Sequence, residues 1–156
     1  INKSNNMTTI KLTTEINAPS QLVFDINRNI DIHKLSTSKS NETAIAGVTS
    51  GLINKNETVT WRGKHFGFYL THKSIISEME IPYYFVDEMM VGHFTKFKHQ
   101  HFFKQENEKT IMFDVIEYET PFGIAGRFFD YILLKKHLTN FIQQRNKFIK
   151  ILAESN

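Results

Sequence analysis

The sequence predicts an α+β fold: a strongly curved, seven-stranded antiparallel sheet around one long C-terminal helix, with two short helices between strands 1 and 2. Three observations predict it. Residues 40–120 read as consecutive extended segments broken at Ser50-Gly51, Asn54–Asn56, Gly67, Ile81-Pro82, Gly92 and Gln105–Lys109, and sequential hairpins imply antiparallel pairing. After Pro121-Phe122-Gly123, apolar residues recur at intervals of three, four and seven, the spacing of an amphipathic helix. That helix is the one large cover available for the apolar face of the sheet.

The elements follow in order. In "MTTIKLTTEI", Ile10, Leu12 and Ile16 alternate with polar residues, giving a strand over 8–16. Pro19 and Ser20 mark a helix start, and Leu22, Val23 and Ile26 carry the helix to about 27. "RNIDIHKLS" is a second short helix or turn. The remaining strands fall at 42–50, 57–66, 68–79, 83–91, 96–105 and 110–120, with "NKN" and "QENEK" as turns. The final helix spans 124–153 on Phe128, Tyr131, Leu134, Leu138, Phe141, Ile142, Ile149 and Leu152. The whole is read as a single domain over 8–153, preceded by a flexible extension, 1–7.

Composition narrows the function. The 156 residues contain no cysteine, which excludes disulfides, thiol catalysis and cysteine zinc sites and fits a cytoplasmic setting. No apolar run approaches the ~20 residues of a membrane-spanning helix. The net charge of +3 is spread among carboxylates. Its densest group, Lys135, Lys136 and His137 with Arg145, Lys147 and Lys150, reads as a solvated helix face, so no nucleic-acid partner is expected. Fourteen phenylalanines suit an interior that packs irregularly or surrounds an apolar guest.

Strand 57–66 is the most telling. In "VTWRGKHFG", Val59, Trp61, Gly63 and His65 share one face. A solid core would favour Val, Ile or Leu there, so this face is expected to line a hollow, and a curved sheet gripping one helix leaves such a space. Trp61 packs on the long helix or offers its indole N–H to a guest.

The order of elements and several short motifs resemble the START/polyketide-cyclase-like superfamily, the helix-grip fold shared with birch-pollen allergen. The motifs are "INAPSQLVFDI", "GLINKNETVTWRGKHFG", "PYYFVDEMMVGHFTKFKHQHFF" and "DVIEYETPFG", which together cover about 8–152. The resemblance implies the fold and an internal pocket. It implies no one reaction: relatives bind lipids, hormones, quinones or polyketides, or act as cyclases and lyases.

Candidate site residues are read from strand faces. His99 and His101 share a face with Phe97 and Phe103, opposite the wetter Lys98, Gln100 and Lys104, so both histidines are expected inward. Asp114 sits on the next strand on one of two similar faces. His65, His99, His101 and Asp114 allow three readings: three metal ligands with an open position, a polar cluster orienting a ligand, or an internally satisfied hydrogen-bond network. The reading adopted includes no metal and no cofactor. Asp87 reads as a surface acid, with an inward pairing to Arg62 or a histidine as the alternative, and His33 as an exposed turn histidine, with a place at a pocket mouth as the alternative. Phe85, Met89, Phe97, Phe103, Phe128 and Leu138 supply apolar contact, and Gly123 and Gly126 give a mobile entrance. The two faces of strand 68–79, Thr71/Lys73/Ile75 and Leu70/His72/Ile76, stay unranked.

The expected function is binding or transport of a small hydrophobic or amphipathic ligand by a monomer or weak homodimer. The alternatives are a cyclase, dehydratase or lyase using a histidine as acid–base, and a protein-interaction module with a vestigial pocket.

Overall fold

In the computed structural model, which describes residues 6–156, thirteen segments of regular structure follow the expected order. Residues 1–5 of the expected extension lie outside the described residues. Strand β1 (Thr8–Ile16) leads to helices α1 (Ser20–Asn27) and α2 (Ile30–Ser36) and a short 3₁₀ turn, Ser38–Ser40. The hairpin strands are β2 (Thr43–Gly47), β3 (Thr58–His65), β4 (Phe68–Glu80), β5 (Tyr84–Val91), β6 (Lys96–Glu106) and β7 (Lys109–Glu119). A rod then runs from Gly123 to Glu154: α3 (Gly123–Phe129), one π-helical turn (Asp130–Leu134) and α4 (Lys135–Glu154). Among the described residues, no helix is long and apolar enough to cross a membrane.

The strands form one antiparallel sheet in the order β1-β7-β6-β5-β4-β3-β2. Breaks in register at Lys73/Ser74 and Ile76/Glu78 of β4 bend the sheet. Leu70, His72, Ser74 and Ile76 of β4 turn inward. Strand β2 is shorter than expected because pairing with β3 ends at Gly47. Helix α2 is well defined because the Asn29 side chain caps it, accepting from the main-chain N–H groups of Asp31 (2.9 Å) and Ile32 (3.2 Å).

Two apolar clusters hold the rod to the sheet. One joins α1, including Val23 and Phe24, to Phe85, Phe103, Met112 and Ile149. The other joins Ile10, Ile116 and Tyr118 to Leu134 and Ile142. Between them the rod and sheet do not meet.

The π turn changes the helical phase. It adds a residue per turn, and each residue of an α-helix rotates the side chain by about 100°. Carrying the stripe of α4 backward through Tyr131 to Phe128 therefore fails: Tyr131 is 87% and Phe128 66% exposed. The turn is anchored by Asp130, which accepts hydrogen bonds from the hydroxyls of Tyr118 and Thr8. Burial, reinforced by the Asp130 carboxylate, pushes the Tyr118 phenol upward in pKa. Gly126 also departs from expectation. A Cβ there would stand 1.8 Å from the Pro121 carbonyl oxygen, so this glycine permits close packing rather than movement.

Candidate functional site

A cavity of about 210 Å³ lies between the concave face of the sheet, α2 and the rod. Val59, Ile76, Phe85, Phe97, Leu138 and Ile142 give it apolar walls. Into these walls project all seven histidines of the chain. An apolar chamber with a few convergent polar groups is the usual form of a small-molecule site.

At the inner end, the antiparallel register sets His101 opposite Asp114 and Asp87 opposite His99. His99 Nε2–H donates to Asp114 Oδ1 at 2.7 Å. His101 Nδ1 lies 3.3 Å from the same oxygen, too oblique for a full hydrogen bond. Asn146 Nδ2 donates to Asp114 Oδ2 at 2.7 Å. The rings of Phe85, His101 and His99 form a stack with centroid spacings of 4.1 and 3.7 Å. Burial opposes the charge on Asp114, but the surrounding His101 and His99 outweigh it and hold its carboxyl well below the usual range. Burial, reinforced by His99, lowers His101 to a pKa of about 3. The unit is therefore an ionised carboxylate beside a neutral His101 ring. Asp114 is fully buried and does not reach the cavity wall; the two histidines do.

His99, His101 and Asp114 bring three possible ligand atoms within 4.8 Å of one another. Arg145, a permanent cation, acts on His101 and Asp114 and opposes a second cation between them. The chemistry this unit offers is proton acceptance or hydrogen bonding at imidazole nitrogens backed by a carboxylate.

A second chain of contacts crosses nearer the helix α4 N-terminus. His65 Nε2–H donates to Glu42 Oε1 at 2.9 Å, and His65 Nδ1 lies 2.9 Å from His137 Nε2. Since the carboxylate can only accept, neutral His65 accepts at Nδ1 and His137 donates. Burial and the neighbouring His65 lower the pKa of His137. His65 thus stands apart from the Asp114 unit. Phe66 packs on His137 at 4.4 Å and on Phe129 at 5.5 Å.

The third feature joins α2 to the sheet. The His33 ring lies against Trp61, centroids 4.1 Å apart. Burial, followed by the charge of Arg145, holds His33 well below its ordinary pKa.

The cavity lining includes Trp61, His65, Phe85, Phe97, His99, His101 and Leu138. Asp114 supports the lining from behind. Phe103 belongs to the core beside Phe24 and Phe85, Met89 sits half-buried against Gly92, and Phe128 is on the outer surface. Asp87 and His33 line the cavity instead of the exposed settings expected. Arg145 and His137 likewise face inward, not onto a solvated face. Sequence reasoning passes over Asn146 and Glu42 and gives Arg145 no role in a site. A signal for Arg145 exists: it falls three residues after Ile142 and four before Ile149, on the apolar stripe of the helix.

No protein-family model and no curated protein matches the chain. Solved structures do. A protein from Thermus thermophilus is 15% identical, with 96% of this chain and 100% of the other covered at a TM-score of 0.71. Ginseng major latex-like protein 151 from Panax ginseng is 11% identical, with 96% and 99% covered at 0.72. A START superfamily protein from Mycobacterium smegmatis is 13% identical, with 94% and 97% covered at 0.71. At these identities the likeness is one of fold: the chain has the helix-grip fold.

Proposed function

We propose that this protein, acting in the cytoplasm, binds a small hydrophobic or amphipathic molecule between the sheet and the C-terminal rod. The observation that carries the reading is the 210 Å³ cavity, apolar in its walls and polar at a few convergent points. An engineered cavity of about 150 Å³ holds one benzene ring, so this one suits a ring with a short substituent or a slightly larger guest extending toward the mouth. Burying about 300 Å² of apolar ligand surface is worth about 7 kcal/mol at 25 cal/mol/Å², and association costs reduce that to the micromolar range.

Organic extracts of the freshly purified protein, analysed by mass spectrometry, should contain one small apolar compound enriched over a control protein purified identically. Its readdition should change the emission of Trp61, the one tryptophan of the chain. An empty extract, together with no Trp61 response to a panel of small aromatic and aliphatic probes, overturns the reading.

A second reading rests on the His99–Asp114 contact of 2.7 Å. A histidine held by a buried carboxylate can serve as acid–base in a cyclase, dehydratase or lyase reaction on a polyketide-like or aromatic substrate. Saturable turnover that collapses in His101→Ala or Asp114→Asn while binding persists supports it. Variants that merely bind less well remove it.

A further inference from the structure

Two arginines line the cavity, and they are partnered very differently. Arg28 is held: its Nε and Nη2 grip Asp25 at 2.8 Å and its Nη1 reaches Asn54 at 2.8 Å. Arg145 is 3% exposed and also lines the cavity. Its Nη1 reaches Asn146 Oδ1 and its Nη2 the main-chain oxygen of Asn27, each at 3.3 Å. Both bonds are long, and both acceptors are neutral. Among the described residues no carboxylate oxygen lies within 4.0 Å of it. A guanidinium has five N–H donors in a fixed fork, so most of its capacity is unused.

The surroundings do not complete Arg145. Asp114 and Asp87 act on it through space only, and Asp114 spends its oxygens on His99 and Asn146. His33 and His101 face the guanidinium as uncharged rings, since burial and the charge of Arg145 both act against their protonation. Another group at this end is also unfinished: Asn27 Oδ1 is buried and accepts no hydrogen bond, while its side chain lines the cavity. Buried polar groups left unpaired are costly, and an unpaired buried charge is costlier. An anion placed here satisfies the fork, and any O–H carried with it, from a hydroxyl or a water, satisfies Asn27.

We propose that the inner end of the cavity is a carboxylate site and that the guest is an aromatic or short aliphatic carboxylic acid, its apolar body along Phe85 and Phe97 and its head on Arg145. This rests on the cavity-binding reading above. The planar carboxylate matches the guanidinium fork in a bidentate contact, and the volume leaves room for about one ring beyond the head group.

Calorimetric titration of the intact protein with 4-ethylbenzoate and its uncharged isostere 4-ethylbenzamide, each one ring with a short substituent, tests this. The wild-type protein should bind the carboxylate about tenfold to a hundredfold more tightly, the range of a charge-assisted hydrogen bond. Arg145→Met should lose that preference and keep its affinity for the amide. Arg145→Lys, which keeps the charge without the fork, should retain part of it. Equal wild-type affinities, or a preference unchanged in Arg145→Met, overturn the carboxylate site while leaving the binding reading standing. Failure of both compounds to bind the wild-type protein overturns the binding reading, and the site falls with it. If near-ultraviolet circular dichroism shows Arg145→Met unfolded, the wild-type comparison and Arg145→Lys decide.

Discussion

Glu42 fills the space that a side chain at position 63 would need: a Cβ on Gly63 would stand 2.3 Å from Glu42 Oε1, the oxygen that accepts from His65. The glycine in the Trp61–Gly63–His65 face is a seat for a carboxylate arriving from beside the neighbouring strand. It explains why this face carries no bulky aliphatic residue at its centre.

Gly63→Ala should therefore displace Glu42 and spare the fold. The obstructing atoms are the far end of a flexible side chain, so urea unfolding should change by no more than about 1 kcal/mol. The ring nitrogen resonances of His65 and His137 should shift as the chain through Glu42 breaks. Loss of the folded state would show that the backbone, not Glu42, requires glycine.

Asp114→Asn should destabilise the protein by about 1–3 kcal/mol. One carboxylate oxygen accepts from His99 and the other from Asn146. An amide has one oxygen and one NH₂, so one contact is set donor against donor in a fully buried place unless His99 changes tautomer or the Asn146 amide turns. Urea unfolding measures the loss; a change within error would mean the two contacts are not both formed in solution.

Acid should weaken the protein before any carboxylate of ordinary pKa titrates. His101 binds a proton in the unfolded chain near its ordinary 6.5, but not in the folded state until about pH 3. Below 6.5 the unfolded state therefore holds more protons, and stability falls as pH drops through the interval from 6.5 to 3. His33, lowered in the same direction by burial, adds to the slope. The melting temperature should fall from about pH 7 to about pH 4.5, and His101→Gln should show a shallower fall. An unchanged slope in that variant would count against a neutral, buried His101.

Gly126→Ala should cost more than Gly63→Ala. The obstacle is main chain, the Pro121 carbonyl oxygen at 1.8 Å from the added Cβ. The first turn of α3 must move, at about 1–3 kcal/mol or more. Thermal unfolding of the two variants side by side gives the ranking, and a Gly126→Ala protein as stable as the wild type would contradict the packing described.

The sheet is legible because its segments end at strong breakers; β1 falls at Thr8–Ile16 as read. The inward settings of His99 and His101 are legible from the lysines on their opposite face. Two kinds of information are not. One is phase: nothing in "FFDYILLKK" announces a π turn, so periodicity sets Phe128 on the wrong side. The other is context for charge. Residue type groups Arg145 with Lys147 and Lys150, although its helical position sets it among Ile142 and Ile149. Asp87 reads as a surface residue because a lone acid on a mixed strand face carries no sign of the imidazole across the sheet. The facing of β4 is hidden because its two faces, Thr71/Lys73/Ile75 and Leu70/His72/Ile76, are alike in polarity.

All seven imidazoles of the molecule surround one compartment. Imidazole ordinarily exchanges protons near neutrality, but burial holds His33, His72, His101 and His137 below that range. These four rings therefore meet a guest uncharged, each with one nitrogen to donate and one to accept. The compartment can answer a donor or an acceptor on its guest without displacing a proton from them.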